Sequence, residues 1–223
     1  MNFRSKLAAV LSSYLIMPIR SFVAIWPLFA GLSFIGLAIG VQGSLLGVRA
    51  ALEGFDDILI GLVMSCYFAG FLAGSLFTPR MIQRVGHIRI FAALTAVASV
   101  SILIHALVID AWVWALMRLI TGFAFSAIYV VSESWLNQSA TNTNRGQVLS
   151  VYTTILLVGI CAGQFMLNLA DPAGFTLFIL ISVMVSVAAV PILLSIVQTP
   201  PIEEIERVTM RHLWYRTKIG VIA

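Results

Sequence analysis

The first position that invites chemistry in this 223-residue chain is an arginine inside an apolar run. Arg118 lies seven residues beyond Ala111, and Gly122, Ser126, Tyr129 and Glu133 follow it at spacings of 4, 4, 3 and 4. Those spacings place all five on one face of a helix, while Leu, Ile, Phe and Val fill the other faces. A charge at the centre of a bilayer costs on the order of 3 kcal/mol or more, so Arg118 is expected to face a bundle interior, a partner or water. The competing reading is an anchor that snorkels to the nearer surface, about 10 Å away at 1.5 Å per residue. A small-and-polar stripe with a charge at each end suits a water-accessible cavity, and equally a tight helix contact. Backbone carbonyls, Gln42, an anionic ligand or a group from another chain are the available partners for the guanidinium. An anionic or polar solute is the chemistry it favours.

Other apolar runs repeat the pattern. Gly36, Gly40, Gly43 and Gly47 share a face beside Gln42; Tyr67, Gly70, Gly74 and Thr78 share another; Gly159 and Gly163 precede Gln164 and Asn168. Small residues at such spacing let helices approach closely. Gly36, Gly40, Gly70, Gly74, Gly122, Gly159 and Gly163 are therefore expected at helix contacts. Gln42, Tyr67, Ser126, Tyr129, Gln164 and Asn168 are expected to join Arg118 around a cavity. Glu133 falls about 33 Å along from Ala111, at a membrane boundary, where Arg84, Arg89 or Arg145 would pair with it as a gate; the alternative is a solvated charge. Glu53, Asp56, Asp57, Asp110 and Asp171 all sit in or near connections, which leaves no acid at mid-membrane depth. Cys66 and Cys161 show neither pairing nor metal spacing and are read as two buried free thiols.

The elements that position these residues follow from composition. Hydrophobic residues make up 61% of the chain and charged residues 10%, against about 45–50% and about 25% in soluble domains. An integral membrane protein fits; a nucleic-acid module, a disordered chain and an ordinary soluble enzyme do not. Six spans are expected, over residues 22–47, 58–78, 88–109, 111–135, 148–170 and 175–197, each long enough to cross as a helix. Helices are preferred because lipid offers the backbone no hydrogen bonds, and the runs lack the alternation of barrel strands. Arg4, Lys6, Arg20, Arg80, Arg84, Arg89, Arg145, Arg207, Arg211, Arg216 and Lys218 share one side of this topology; of the 13 basic residues only Arg49 lies opposite and Arg118 within a span. That bias places both termini in the cytoplasm. Residues 1–21 form a cytoplasmic segment without a small-residue cleavage site, 22–197 the transmembrane domain, and 198–218 a charged segment after the helix-ending Pro200 and Pro201. Residues 219–223 read as the start of a seventh helix, or as an unusual end to a six-helix protein.

Several of these residues together resemble the amino-terminal half of a major facilitator superfamily transporter. Arg118 and Gly122 are similar to that family's Arg-three-residues-Gly motif in the fourth span. Pro79, Arg80, Gln83, Arg84, Gly86, His87 and Arg89 resemble its gating loop after the second span, and Arg145-Gly146 resembles its pair between the fourth and fifth. The match departs at Pro79, where the family has Gly, and at Gln83, where it has an acid; a latch then rests on Glu133. The fifth span lacks the proline of the drug antiporters. The resemblance implies an all-α membrane fold: a six-transmembrane-helix bundle of two inverted three-helix repeats, which is half of the family's twelve-helix fold. It also implies a substrate cavity near the midplane, alternating access by rocking of two halves, and Arg118 as a cavity or coupling residue. The partners are the lipid bilayer of a bacterial inner membrane, a small-molecule substrate and a second six-helix half that is fused, separate or a second copy. No cofactor, metal or nucleic acid is expected.

Other classes fit less well. An intramembrane serine protease needs a buried serine beside a histidine, and His87 is placed in a loop, His105 near an outer surface and His212 in the tail. The membrane half of an ATP-driven exporter would carry long cytoplasmic helical extensions. A water channel would carry paired Asn-Pro-Ala motifs, and Asp171-Pro172-Ala173 starts with the wrong residue. A non-transporting scaffold or receptor subunit remains as the alternative to a transporter.

Overall fold

A computed structural model describes residues 19–195, and their side chains from Ile25 onward. The terminal segments expected outside residues 22–197 therefore lie almost wholly beyond the described residues. The elements are α1 (Ile19–Leu52), α2 (Asp57–Val85), α3 (His87–Leu107), α4 (Ala111–Ser139), α5 (Arg145–Met166), a 3₁₀ turn (Leu167–Leu169), α6 (Thr176–Val187) and α7 (Val190–Leu194). There is no strand among the described residues. Six segments are long and apolar enough to cross a membrane, the sixth running through α6 and α7.

Helix ends follow local chemistry. Asp110 caps α4 by accepting from the N–H groups of Trp112 and Val113 at 3.0 and 2.9 Å, and Asp56 caps α2 through Ile58 at 3.2 Å. At the end of α1 the Phe55 N–H reaches Ala50 O and the Gly54 N–H reaches Ala51 O, the paired bonds of a helix stop in which Gly54 takes a positive φ of 76°. Arg49 keeps the last turn of α1 helical by pairing with Glu53 at 2.6 Å, and it donates to Pro172 O at 3.3 Å. This extends α1 past the expected boundary at residue 47.

Two expectations are corrected. The stretch from Pro79 to Arg84 is not a loop: α2 runs through Pro79 to Val85, and Gly86 alone separates it from α3. A membrane helix tolerates an internal proline when surrounding groups satisfy the freed carbonyl. The turn is this short because Gly86 adopts φ 90°, a conformation side chains disfavour. The sixth span is also not one helix. It breaks at Ala188 and Ala189, since Pro191 has no N–H for the Val187 carbonyl and its ring crowds it. Gly31 of α1 backs onto the break, so close that a Cβ there would lie 2.5 Å from Ala188 O.

Lipid supplies no hydrophobic drive between helices, so close backbone packing must hold them. The tightest pairings are α2 with α4 and α1 with α5. On the first, a Cβ on Gly70 would overlap Leu119 O, and one on Gly122 would overlap Tyr67 O. On the second, Gly36 meets Gly159 and Gly40 meets Gly163, glycine against glycine. α3 joins α4, and α3 joins α6 through Ser99, whose hydroxyl lies 2.7 Å from Ser182 Oγ and 2.9 Å from Ser186 Oγ. Exchanging α1 with α4, α2 with α5 and α3 with α6 leaves this pattern intact. The α1–α5 contact becomes α4–α2, α1–α6 becomes α4–α3, and α3–α6 maps onto itself. Because three crossings reverse direction, the two repeats are inverted.

Gly70→Ala is expected to lower stability by about 1–3 kcal/mol through overpacking. Gly43→Ala, where an added Cβ meets nothing within 4 Å, should stay within about 0.5 kcal/mol of the parent. Thermal unfolding of the two purified variants checks the contrast.

Candidate substrate cavity

The α2–α4 crossing delivers the site. Gly122 lets the α4 backbone rest on the carbonyl of Tyr67, and Arg118 stands one turn away on the same face of α4. The Tyr67 ring is thereby laid over the guanidinium, with Arg118 Cζ 4.5 Å from the ring centroid. This cation–π contact replaces part of the lost hydration. Arg118 is 7% exposed, and its Nε has no hydrogen-bond partner. Gln42 enters from α1, 3% exposed, and its Nε2 is likewise unpartnered. Ile39, Gly43, Met64, Phe68 and Phe125 complete the lining of a cavity of about 340 Å³. Among the described residues no acid lines it, and the sole ion pair is Arg49–Glu53 at the far end of α1.

Three of the sequence-derived cavity residues, Arg118, Gln42 and Tyr67, thus come together, and four do not line this space. Ser126 is buried against α2, its Cβ 2.9 Å from where a Cβ on Gly74 would sit. Tyr129 stands edge-on to Phe71, ring centroids 6.1 Å apart. Gln164 ties α5 to α1, donating from Nε2 to Gly40 O at 2.8 Å and accepting from Ser44 Oγ at 2.5 Å. Asn168 is exposed and donates to Phe165 O at 3.3 Å. Ile39, Met64, Phe68 and Phe125 were not legible beforehand as lining, because apolar residues in such runs carry no individual signature.

At the basic end of the bundle Glu133 pairs with none of Arg84, Arg89 and Arg145, all three of which are exposed. It accepts instead from Tyr152 Oη at 3.1 Å. A depth argument would have found this partner. Glu133 lies six residues before the end of α4 and Tyr152 seven after the start of α5. Those are depths of about 9 and about 10 Å on antiparallel helices.

One histidine expectation needs correction too. His87 is the first residue of α3 rather than part of a loop; it is buried, with Nε2 3.1 Å from Ser134 Oγ. Among the described residues no group orients His87 Nδ1, and Ser134 lies within α4, whose backbone N–H groups are held in the helix. His105 lies in the last turn of α3, near that end of the span as expected, and is buried there, its Nδ1 2.7 Å from Ser101 O and its ring edge-on to Trp114. Both thiols are free, but Cys161 is exposed and Cys66 half-buried. Among the described residues no three His, Cys, Asp or Glu side chains gather as a metal site.

A model of the family described as "Sugar (and other) transporter" matches residues 42–200. The chain is 32% identical over 168 residues to an uncharacterised MFS-type transporter of Enterobacter sp. strain 638, covering 75% of this chain and 44% of that protein. It is 36% identical over 141 residues to the uncharacterised MFS-type transporter YcaD of Escherichia fergusonii, covering 63% and 37%. It is 31% identical over 171 residues to one of Yersinia enterocolitica, covering 75% and 44%. The chain thus spans less than half the length of these relatives. No solved structure matches it significantly.

In a double-mutant cycle on thermal stability, Tyr152→Phe and Glu133→Gln are expected to couple by about 0.5–1.5 kcal/mol. Glu133→Gln with Arg84→Ala should show no coupling. The reverse ranking would restore the expected acid–arginine latch.

Proposed function

This chain belongs to the sugar (and other) transporter family of the major facilitator superfamily, and on that premise we propose that it forms one half of a secondary transporter moving a small solute by alternating access. It is an integral, multi-pass membrane protein with a transporter's fold. The observation that carries the finer reading is the cavity: a buried guanidinium and a buried amide, both with unused donors, inside a membrane-spanning bundle. Such groups in a membrane mark a solute or ion pathway. Its volume lies at the small end of the range for ligand pockets, roughly 300–1,000 Å³.

The exposed faces support a second half. α2 and α5 are the helices least covered by the rest of the bundle. α2 presents Leu62, Leu72 and Leu76, and α5 presents Leu157, Val158 and Phe165. They flank the α1–α4 side from opposite edges, where a second six-helix unit would close the cavity. The greater length of the relatives supports a fused unit; a separate chain or a second copy are the other arrangements. The positive-inside bias places the end bearing Arg84, Arg89 and Arg145 in the cytoplasm. Those exposed guanidiniums, with the Glu133–Tyr152 link, would form the gate there. Rocking of the halves would expose Arg118 to one side and then the other.

The test uses Gly43→Cys in the full-length native polypeptide with Cys66→Ser and Cys161→Ser. Gly43 lines the cavity and has open space around it. A membrane-impermeant maleimide is expected to label the new thiol in both right-side-out and inside-out vesicles. Labelling from one side alone, or from neither, would overturn alternating access.

A further inference from the structure

We infer that the solute held at Arg118 is an organic anion, a compact carboxylate-type head on a short apolar body, an assignment that rests on the transporter reading and names its substrate class.

The first ground is charge. The Arg118 guanidinium makes no hydrogen bond or ion pair with any described residue; the aromatic face it meets is the Tyr67 ring. A buried charge without a counter-charge is costly, and the cavity supplies no acid to offset it. The second ground is donor polarity. The unpartnered buried atoms of the residues that line the cavity are Arg118 Nε and Gln42 Nε2, and both only donate. A neutral polyol needs donors and acceptors in similar number, whereas a carboxylate only accepts. The third ground is geometry. The guanidinium lies over the Tyr67 ring and its Nε has no partner among the described residues, and a guanidinium edge matches two carboxylate oxygens. Gln42, from a different helix, would add a donor to the same head. The fourth ground is the remaining lining. Ile39, Met64, Phe68 and Phe125 offer carbon surface, which suits a hydrocarbon body and leaves a sugar's hydroxyls unpaired.

The probes are benzoate and hexanoate against their neutral isosteres benzamide and hexanamide, with binding measured calorimetrically on the purified full-length protein. At least one acid is expected to bind about tenfold or more tightly than its amide, the size expected for charge-assisted hydrogen bonds. Arg118→Gln should abolish the preference, and Arg118→Lys should keep part of it, because the charge stays and the fork is lost. Should Arg118→Gln not fold, Gln42→Leu still decides: it should weaken the acid several-fold and the amide less, because the bond lost to a charged acceptor is the stronger one. Equal binding of acid and amide, binding of neither, or an unchanged preference in Arg118→Gln or Gln42→Leu would overturn the assignment. Acid preference combined with one-sided labelling of Gly43→Cys would overturn transport alone. Two-sided labelling without acid preference would overturn the anion alone.

Discussion

The contact between Gly122 and the backbone of Tyr67 is the constraint on which the rest of this bundle depends. Without it, α4 would stand off from α2 by the width of a side chain, and Arg118 would lose the aromatic face that shelters it. In water an arginine at that position could keep its hydration. In a membrane it must find compensation in the protein, and the approach of two backbones brings the compensation within reach. The Arg-three-residues-Gly spacing therefore has a physical meaning here: the glycine places the helix, and the arginine one turn away uses the place.

The two inverted repeats make the same crossing twice and use it differently. On the α1–α5 side, glycine meets glycine and Gln164 closes the seam by donating to Gly40 O. On the α2–α4 side, Gly70 and Gly122 meet backbone carbonyls as Gly40 and Gly163 do, but Arg118 beside them is left with an unused donor. One seam is satisfied within the protein; the other lies beside groups that are not. The polar site draws on both copies, Arg118 from α4 and Gln42 from α1, whereas the donor of Gln164 is used up in closing the α1–α5 seam.

Much of this was legible in the sequence, for reasons that differ by level. Six spans follow from apolar runs of membrane length, and the glycine spacings pointed to helix contacts, though not to which helices meet. Gly70 names a small contact but not Leu119 as its partner. Helix ends were less legible, since hydropathy falls off where a helix leaves the hydrocarbon and not where its hydrogen bonds end. Arg49 and the stretch from Pro79 to Val85 are polar or helix-breaking by type and yet helical. At the site, Arg118, Gln42 and Tyr67 declared themselves by being polar in apolar surroundings. The same signal overreached for Ser126, Asn168 and Gln164, which pack or cap locally. It missed Tyr152, whose role depends on depth across a turn.

The unpaired guanidinium also bears on how such a site could work as a carrier. An empty cavity that closes on both sides must strip water from Arg118 with only the Tyr67 face in exchange. Closing over a bound anion removes two opposite charges together, and their attraction offsets much of the desolvation cost. The closed state is then cheaper when loaded than when empty, which is the differential a ligand needs to drive a conformational change. A neutral solute would hydrogen-bond to the same donors but leave the charge uncompensated, so the difference would be smaller. The arrangement that makes Arg118 expensive to bury would in this way tie movement of the halves to occupancy of the site. An acid beside Arg118 would remove that dependence by neutralising it permanently, and the cavity lining contains none.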